Sequence, residues 1–294
     1  MIRTPAASPL HTDDPRSHAR RIRSEEQRYR EEYADLNGAF GSFVISYPKS
    51  GRTWHRLMIG NYLAQATGSG PRQSFDIDGL CQLAGLAPIC YSHNGANFLD
   101  ALPPRHPVVA SPDLWRGRTV LLLIRDPADI LVSAWHHARF RTKSFAGGLS
   151  DFIRQPESGL NKILAAYNRW HDHRGEAARF EVVSYEDMHR DPAGVLRRSL
   201  QLFGIAAPDP EMLTAAVDFT RFDRMRDYEE TDYFRSGRMR NVSGDERAAK
   251  VREGSVGGAA AHLSADDLDF IARRTARLGN PWAPRSADSS SALR

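Results

Sequence analysis

The chain has 294 residues, of which 41% are hydrophobic and 26% are charged, and its formal net charge at pH 7 is +4. This length and composition indicate one large α/β domain with a buried core. The small positive charge suits an anionic cosubstrate and lacks the sustained basic stripe of a nucleic-acid binder, so we expect no nucleic-acid partner. The two cysteines, Cys81 and Cys90, form no cluster at metal-ligand spacing, which predicts neither a disulfide framework nor a metal site.

No stretch of the sequence has the pattern of a membrane span or a signal peptide. The longest aliphatic run, residues 120–124, is far shorter than the about 20 residues that cross a bilayer. We therefore expect a cytoplasmic protein without a membrane anchor. Residues 1–36 are predicted to be a polar, charged and partly disordered extension, residues 37–282 the folded domain, and residues 283–294 a disordered tail.

A strand, a tight loop and a helix are predicted around residues 43–54. Residues 43–46 are apolar and partly β-branched, which is typical of a buried strand, and Pro48 ends it. A helical pattern begins at Thr53. Because the first turn of a helix offers free N–H groups and a positive dipole end, the loop is a candidate anion site, to which Lys49 adds a charge. The spacing is not that of a regular P-loop, so phosphate binding and an ordinary loop stay equally open on these grounds.

One string in this segment resembles the 5′-phosphosulfate loop of the sulfotransferases of the cytosolic type that use 3′-phosphoadenylyl sulfate (PAPS). The string is Tyr47-Pro48-Lys49-Ser50-Gly51-Arg52-Thr53-Trp54. The resemblance implies a single P-loop-like α/β domain, with a central, mainly parallel β-sheet flanked by helices on both faces. It implies that residues 50–53 cradle the 5′-phosphate, that Trp54 lies against the adenine, and that Lys49 is catalytic and neutralises the leaving phosphate. Arg52 departs from the family, where many members carry threonine.

Residues 87–93 are predicted to form a second strand that ends at His93. A histidine in this position is commonly structural or exposed. In the sulfotransferases, however, a segment that often reads Lys-Thr-His carries the catalytic histidine at this place, and residues 91–93 resemble it. The resemblance implies that His93 is the general base, with Tyr91 where the family has lysine. His106 is the alternative, although its neighbouring prolines predict a rigid surface turn.

The aliphatic run at residues 120–124 predicts a strand that is covered on both faces of a parallel sheet. Asp126 can cap a helix and Pro127 suits its first position, so a helix is predicted to follow at once. Arg125 and Ser133 resemble the second family motif, an arginine and a serine eight residues later that bind the 3′-phosphate. Two motifs in the right order are much more specific than either one alone.

Three later segments resemble further parts of the nucleotide site. Tyr185 follows a strand predicted over 179–183, and the resemblance places it near the adenine. The segment at 219–222 resembles the one that packs an aromatic residue beside the adenine, which implies roles for Thr220 and Phe222. The third family motif, Arg-Lys-Gly, closes over the nucleotide and grips the 3′-phosphate. The residues that resemble it are Arg252, Glu253 and Gly254.

The composition alone allows other interpretations of these later segments. An acidic helix start after a strand would explain residues 184–188, and a mobile, solvated loop would explain the glycine- and charge-rich residues 236–260. Further helices are predicted over 160–173, 192–203 and 264–278, each from apolar residues at helical spacing.

The resemblance implies transfer of the sulfuryl group from PAPS to a hydroxyl or amine of a small-molecule or glycan acceptor, with adenosine 3′,5′-bisphosphate (PAP) as product. No metal is required, because lysine and arginine supply the positive charge. A P-loop-like nucleotide kinase and a catalytically inactive PAP- or PAPS-binding protein stay open as alternatives. The second of these is kept open by Tyr91 and Glu253, which stand where the family has lysines.

The acceptor cannot be identified from the sequence, and the oligomeric state is open, with a homodimer as one alternative. We expect residues 70–118 and 138–158 to line the acceptor pocket. The candidate aromatic contacts are Phe98, Trp115, Phe140 and Phe145, and each of them could instead belong to the core.

Overall fold

The fold is described from a computed structural model of the chain. The residues that it describes are 40–93, 115–155, 158–236, 239–241 and 244–283. The predicted extension over residues 1–36, most of the predicted tail, His106 and Phe98 lie outside these ranges.

Four parallel strands form one sheet in the described part of the chain. They are β1 (Ser42–Ser46), β2 (Ile89–Ser92), β3 (Thr119–Ile124) and β4 (Arg179–Ser184). Their order across the sheet is β2-β1-β3-β4. In the register, Val44 of β1 lies opposite Tyr91 of β2 on one side and opposite Leu121 of β3 on the other. The predicted parallel sheet is therefore confirmed.

Ten α-helices accompany the sheet among the described residues. The first five are α1 (Arg52–Ala66), α2 (Ile77–Leu83), α3 (Pro127–His136), α4 (Leu149–Arg154) and α5 (Leu160–His173). The other five are α6 (Tyr185–Arg190), α7 (Pro192–Leu202), α8 (Pro210–Phe219), α9 (Phe222–Glu230) and α10 (Ala265–Leu278). None of the described helices is long and apolar enough to cross a bilayer.

Helices cover both faces of the sheet because side chains alternate along each strand. Phe43 and Ile45 of β1 point into one core, which α3 and α5 complete. Val44 of β1 points into the other, which α1, α2 and α7 complete. The two central strands, β1 and β3, are thus buried on both faces, which is why they read as continuous apolar runs.

Local signals in the sequence set where several helices begin and end. The Asp126 carboxylate accepts hydrogen bonds from the N–H groups of Ala128 (2.8 Å) and Asp129 (3.2 Å), so α3 starts directly after β3. The helix α1 ends in a Schellman motif, in which Gly68 has a φ of +67°. At α10 the cap is Ser264, whose hydroxyl accepts a hydrogen bond from the Asp267 N–H (3.1 Å).

The chain order of the strands creates a crevice. From β1 the chain crosses to β2 on one side of the sheet, and it later returns to β3 on the other side of β1. In open parallel sheets, ligands bind beyond the carboxyl ends of the strands where the connections part in this way. Four segments with predicted site residues follow the four strands directly, so the topology brings them to one edge.

Two parts of the fold differ from the expectations. The helices α4, α8 and α9 were not among the predicted elements, and a turn of π-helix over His137–Arg141 extends α3. Of the two roles left open for Trp115, the structure shows the core one, because this residue is 1% exposed and packs edge-on against Phe43 (centroids 5.0 Å apart). Phe145 likewise packs against the core residue Phe152.

Candidate active site

A cavity of about 590 Å³ opens beyond the carboxyl ends of the strands. Each strand contributes a lining residue from the segment that follows it: Lys49 after β1, His93 after β2, Arg125 after β3 and Tyr185 after β4. The other predicted site residues that line this cavity are Gly51, Arg52, Thr53, Trp54, Ser133, Thr220, Phe222, Arg252, Glu253 and Gly254. The exception is Ser50, which is fully buried beneath the loop.

The loop between β1 and α1 has a strained backbone that faces the cavity. Lys49 has a φ of +76° and Gly51 has a φ of +86°. Such left-handed residues beside right-handed ones turn successive N–H groups to one side and form an anion-binding concavity. A Cβ at Gly51 would lie 2.6 Å from the Met188 Cε and 2.7 Å from Tyr185 Cδ2, so only glycine fits. With the positive end of the 15-residue α1 behind it, this loop is built for an anion.

The Arg125 side chain joins the three regions predicted to bind the nucleotide. Its Nη1 donates to the Lys49 carbonyl oxygen (3.3 Å), and its Nη2 donates to the Ser255 carbonyl oxygen (2.9 Å). The guanidinium also lies over the Tyr185 ring, 4.1 Å from its centroid. The buried Nε–H of Arg125 has no hydrogen-bond partner among the described residues. One N–H of this group therefore stays available for an anionic ligand.

Asp129 holds the loop at 252–259 over the cavity. Its carboxylate is 3% exposed and accepts hydrogen bonds from the N–H groups of Gly257 (2.9 Å) and Ala259 (3.0 Å). It also pairs with Arg125 Nη2 at 3.3 Å. Sequence reasoning missed this residue. The one available signal was that Asp129 follows Arg125 by four residues, which allows an ion pair at the start of a helix. That spacing does not indicate the loop at 257–259, to which Asp129 also binds.

A second buried carboxylate, that of Glu229, holds the preceding turn of the same loop. It accepts hydrogen bonds from the N–H groups of Lys250 (2.7 and 2.9 Å) and Val251 (2.8 Å). Arg141, from the π-helical turn, pairs with Glu229 at 3.1 Å and donates to the Ala248 carbonyl oxygen at 3.0 Å. The two carboxylates therefore fix the loop at both ends of its cavity-lining stretch. None of these residues was predicted.

His93 is held in one tautomer. Its Nδ1 lies 2.9 Å from the Ser46 carbonyl oxygen, which can only accept, so Nδ1 carries the proton and Nε2 is the basic nitrogen. Burial, and then the positive charges of Arg52 and Lys250, hold the pKa of His93 well below its usual value. The imidazole is therefore neutral at pH 7 and able to accept a proton.

The pKa of Lys49 is lowered to about 8, by burial first and then by the charges of Arg141 and Arg125. Lys49 thus still carries its charge at pH 7. The cavity as a whole combines three histidines of lowered pKa, His93, His137 and His189, with several cations, which is an arrangement that suits a strongly anionic substrate.

Tyr91 does not line the cavity with His93. Its hydroxyl lies 3.1 Å from His55 Nδ1, and His55 Nε2 lies 3.0 Å from the Ser199 hydroxyl. Since Ser199 donates its proton to the Val195 carbonyl oxygen (2.9 Å), it must accept from His55, and His55 must accept from Tyr91. Burial lowers the pKa of His55 to about 3, which keeps this chain neutral. The residue in the place of the family's lysine is therefore structural.

Aromatic side chains form one wall of the cavity. Trp54 packs edge-on against Tyr185 (centroids 5.9 Å apart) and His189 (4.9 Å). Phe222 is 40% exposed at the start of α9. The Thr220 hydroxyl donates to the Ala216 carbonyl oxygen at 2.9 Å, so toward a ligand it can only accept. This wall suits a flat, nitrogen-rich ring with an amino group.

The loop that resembles the third family motif carries its own counter-charge. Arg252 and Glu253 form an ion pair, and Glu253 also lies 3.2 Å from His262 Nε2. Gly254 has a φ of +60°, and a Cβ there would lie 2.2 Å from Phe222 Cδ2. Glu253, where the family has lysine, therefore reduces the positive charge at this edge of the cavity. Within the described ranges, no three His, Cys, Asp or Glu side chains are grouped as a metal ion requires.

The sequence model of the sulfotransferase domain family matches residues 41–278, and the chain therefore belongs to this family. It is 27% identical over 186 residues to sulfotransferase 4A1 of Mus musculus, an alignment that covers 58% of this chain and 62% of that protein. It is 24% identical over 243 residues to luciferin sulfotransferase of Photinus pyralis, which covers 72% of this chain and 64% of that protein. The chain thus spans less than two thirds of the length of these curated relatives.

The fold is similar to that of retinol dehydratase in a crystal structure with androsterone and the inactive cofactor PAP. The TM-score is 0.61 at 15% sequence identity, and the match covers 88% of this chain and 87% of that chain. At this identity the similarity shows the fold alone. The predicted single α/β domain of the P-loop-like sulfotransferase type is confirmed.

Proposed function

We propose that the protein is a PAPS-dependent sulfotransferase, which transfers a sulfuryl group to a hydroxyl or amine of a small-molecule acceptor. The observation that carries the proposal is the contact between the first two motifs. Arg125 Nη1 lies 3.3 Å from the Lys49 carbonyl oxygen, and both residues line one cavity with His93. A nucleotide with phosphates at both its 5′ and 3′ positions can therefore be held at two points.

The residues present fit PAPS as a cosubstrate. The start of α1 offers N–H groups to a 5′-phosphate, and the tight loop at 49–51 leads into it, with the Ser50 N–H donated to the Tyr47 carbonyl oxygen (3.3 Å). The buried, unpartnered Nε–H of Arg125 fits a 3′-phosphate, which Ser133 and Arg252 also reach from the lining. The aromatic wall with Trp54 and Tyr185 fits the adenine. Ser50, which is buried, takes part through the shape of the loop.

The proposed chemical step uses two groups of this cavity, the His93 imidazole and the Lys49 ammonium. The acceptor oxygen or nitrogen forms a bond to sulfur while the bond from sulfur to the 5′-phosphate oxygen breaks. His93 Nε2 takes the proton that the acceptor loses, for which its neutral state is required. The Lys49 ammonium stabilises the negative charge that develops on the departing phosphate oxygen. No proton is left over, and the products are the sulfated acceptor and PAP.

The kinase alternative is less well supported. A kinase needs carboxylates that are available for magnesium. Asp129 and Glu229, the buried carboxylates next to the cavity, instead accept backbone N–H groups and pair with arginines. The inactive-binder alternative argues from the two positions at which this chain lacks a family lysine, Tyr91 and Glu253. Tyr91 has a structural role beside His55, and Glu253 pairs with Arg252.

The acceptor class is proposed from luciferin sulfotransferase, whose name refers to a small organic molecule, and from the androsterone in the crystal structure of retinol dehydratase. A glycan acceptor is the second candidate, and the same experiment tests it. We also propose a cytoplasmic protein, on the sequence grounds given above, and a homodimer stays an open alternative.

The experiment that tests the function is a screen with radiolabelled PAPS against phenols, alcohols, amines and glycans. We expect transfer of label to at least one class of acceptor, without added metal, and its loss in the Lys49→Met variant. Calorimetry with PAP accompanies the screen. PAP binding without transfer to any acceptor would favour the inactive binder, and magnesium-dependent use of ATP would favour the kinase.

A further inference from the structure

Lysine is rare in this chain and concentrated at the cavity. The sequence has only four lysines among its 40 basic residues, namely Lys49, Lys143, Lys162 and Lys250. Lys49 and Lys250 line the cavity, whereas Lys143 is exposed and Lys162 is buried in α5. Lysine differs from arginine in presenting a compact ammonium with three N–H donors on a flexible stem. A chain that otherwise uses arginine thus places half of its lysines at one site.

The backbone of Lys250 is fixed where the side chain enters the cavity. The Glu229 carboxylate accepts its N–H at 2.7 and 2.9 Å, and that of Val251 at 2.8 Å. Glu229 is itself 3% exposed and is paired with Arg141 at 3.1 Å. A buried carboxylate thus holds one turn of loop, and it gives the Lys250 side chain a defined starting point.

Lys250 lines the same cavity as Lys49 and His93, and its charge acts on both of them. The pKa of Lys250 is lowered to about 7, by burial first and then by the charges of Lys49, Arg141 and Arg52. Burial is likewise the main reason why the pKa of His93 is lowered, and Lys250 is among the cations that lower it further. Lys250 therefore lies among the residues predicted to act on the sulfuryl group.

Arg252, two residues further along the loop, also lines the cavity, and the family resemblance implies that it binds the 3′-phosphate. Burial and then the charge of Arg125 lower its pKa. Arg125 belongs to the end of the cavity that is predicted to hold the 3′-phosphate. One loop thus supplies two cations, Lys250 and Arg252, to the cavity.

We propose that Lys250 binds the transferred sulfuryl group and is a catalytic residue of this site. The inference rests on the proposed function. The family has a lysine at the position of Tyr91, and Lys250 supplies that positive charge instead. The Tyr91 hydroxyl itself lies 3.1 Å from His55 Nδ1. The anionic sulfuryl group favours the charged form of Lys250, and its ammonium donates N–H bonds to the non-bridging sulfuryl oxygens throughout the transfer. It gains and loses no proton, because the acceptor's proton goes to His93.

The test compares the binding of PAP and PAPS by calorimetry in the full chain, in Lys250→Met and in Lys250→Arg. PAPS differs from PAP by the sulfuryl group, so their affinity ratio isolates contacts to that group without any acceptor. We expect Lys250→Met to weaken PAPS by about tenfold or more and PAP by less than about threefold, since the lost hydrogen bond involves charged groups. Lys250→Arg should keep most of the preference, because it keeps the charge.

Lys143→Met is the matched control, since it removes the same charge from an exposed position of the chain. It should change neither affinity. An equal loss of PAP and PAPS in Lys250→Met would overturn the inference, because Lys250 would then serve the phosphates. Unchanged affinities for both nucleotides in Lys250→Met would overturn it as well. If the unmodified chain binds neither nucleotide, the proposed function itself is wrong, which is a distinguishable result.

Discussion

Replacing Asp129 with asparagine tests how the loop at 252–259 is held. The change keeps the size of the side chain but leaves one acceptor oxygen where two oxygens now receive the N–H groups of Gly257 (2.9 Å) and Ala259 (3.0 Å). One buried N–H then faces an amide NH₂, which costs about 1–3 kcal/mol. Loss of the buried pair with Arg125 adds to this cost. Because Arg125 keeps its bonds to two carbonyl oxygens, we expect a total of about 3 kcal/mol, at the low end for a broken buried pair.

For a domain of this size, 1 kcal/mol corresponds to about 2–4 °C in the melting temperature, so Asp129→Asn should melt roughly 6–12 °C lower. Thermal unfolding of the ligand-free protein is the assay. Nucleotide affinity is a poorer measure, because removing the carboxylate also strengthens the attraction of Arg125 for phosphate. The control is Asp269→Asn, which removes an exposed carboxylate paired with Arg273 and should shift melting by no more than about 2 °C. A shift of equal size in both variants would refute the anchoring role.

Three further predictions concern the chemistry of the site. His93→Gln should lower transfer about 10²- to 10⁴-fold with PAP affinity changed less than about threefold; a measured loss of binding and rate together would contradict its role as base. The rate at low substrate, kcat/KM, should not fall as the pH drops through 6.5, because the pKa of His93 lies well below its usual value. It should fall in two steps as the pH rises, through about 7 and then about 8, where free Lys250 and free Lys49 lose their charges. A loss of rate near pH 6.5 would show that His93 titrates normally. Gly254→Ala should weaken PAP binding roughly 5- to 100-fold, since its Cβ would meet the Phe222 ring. The control Gly244→Ala, with a similar φ of +68° and open space around it, should not weaken binding. Equal effects of the two variants would exclude the clash with Phe222 as the cause.

Much of the framework could be predicted because its signals are local. The apolar run of β3, the Asp126 cap and Pro127 at the first helical position lie within a few residues of one another, and each has a direct physical consequence. Parallel strands then bring their carboxyl ends to one edge whatever their exact order. The positions of Lys49 and Arg125 on one cavity follow from that geometry.

The residues that hold the site together could not be predicted, because their partners are distant in the chain. Asp129 binds the backbone of residues 257 and 259, and no pattern near Asp129 indicates that loop. Glu229 has the sequence pattern of an ordinary acidic residue on a helix, and its bonds to Lys250 and Val251 reach across about 20 residues of chain. The aromatic residue Trp115 could fill a pocket or a core equally well, and only the packing decides.

The central claim is that one cavity grips both the 5′ and the 3′ phosphate of an adenosine nucleotide. The most direct measurement is calorimetry of PAP against adenosine 5′-monophosphate, which lacks only the 3′-phosphate, with ATP and magnesium as a third ligand. Charge-assisted bonds to that phosphate predict that PAP binds at least about tenfold more tightly than either of the others. Equal affinity for PAP and the monophosphate, or tighter binding of ATP with magnesium, would contradict the account.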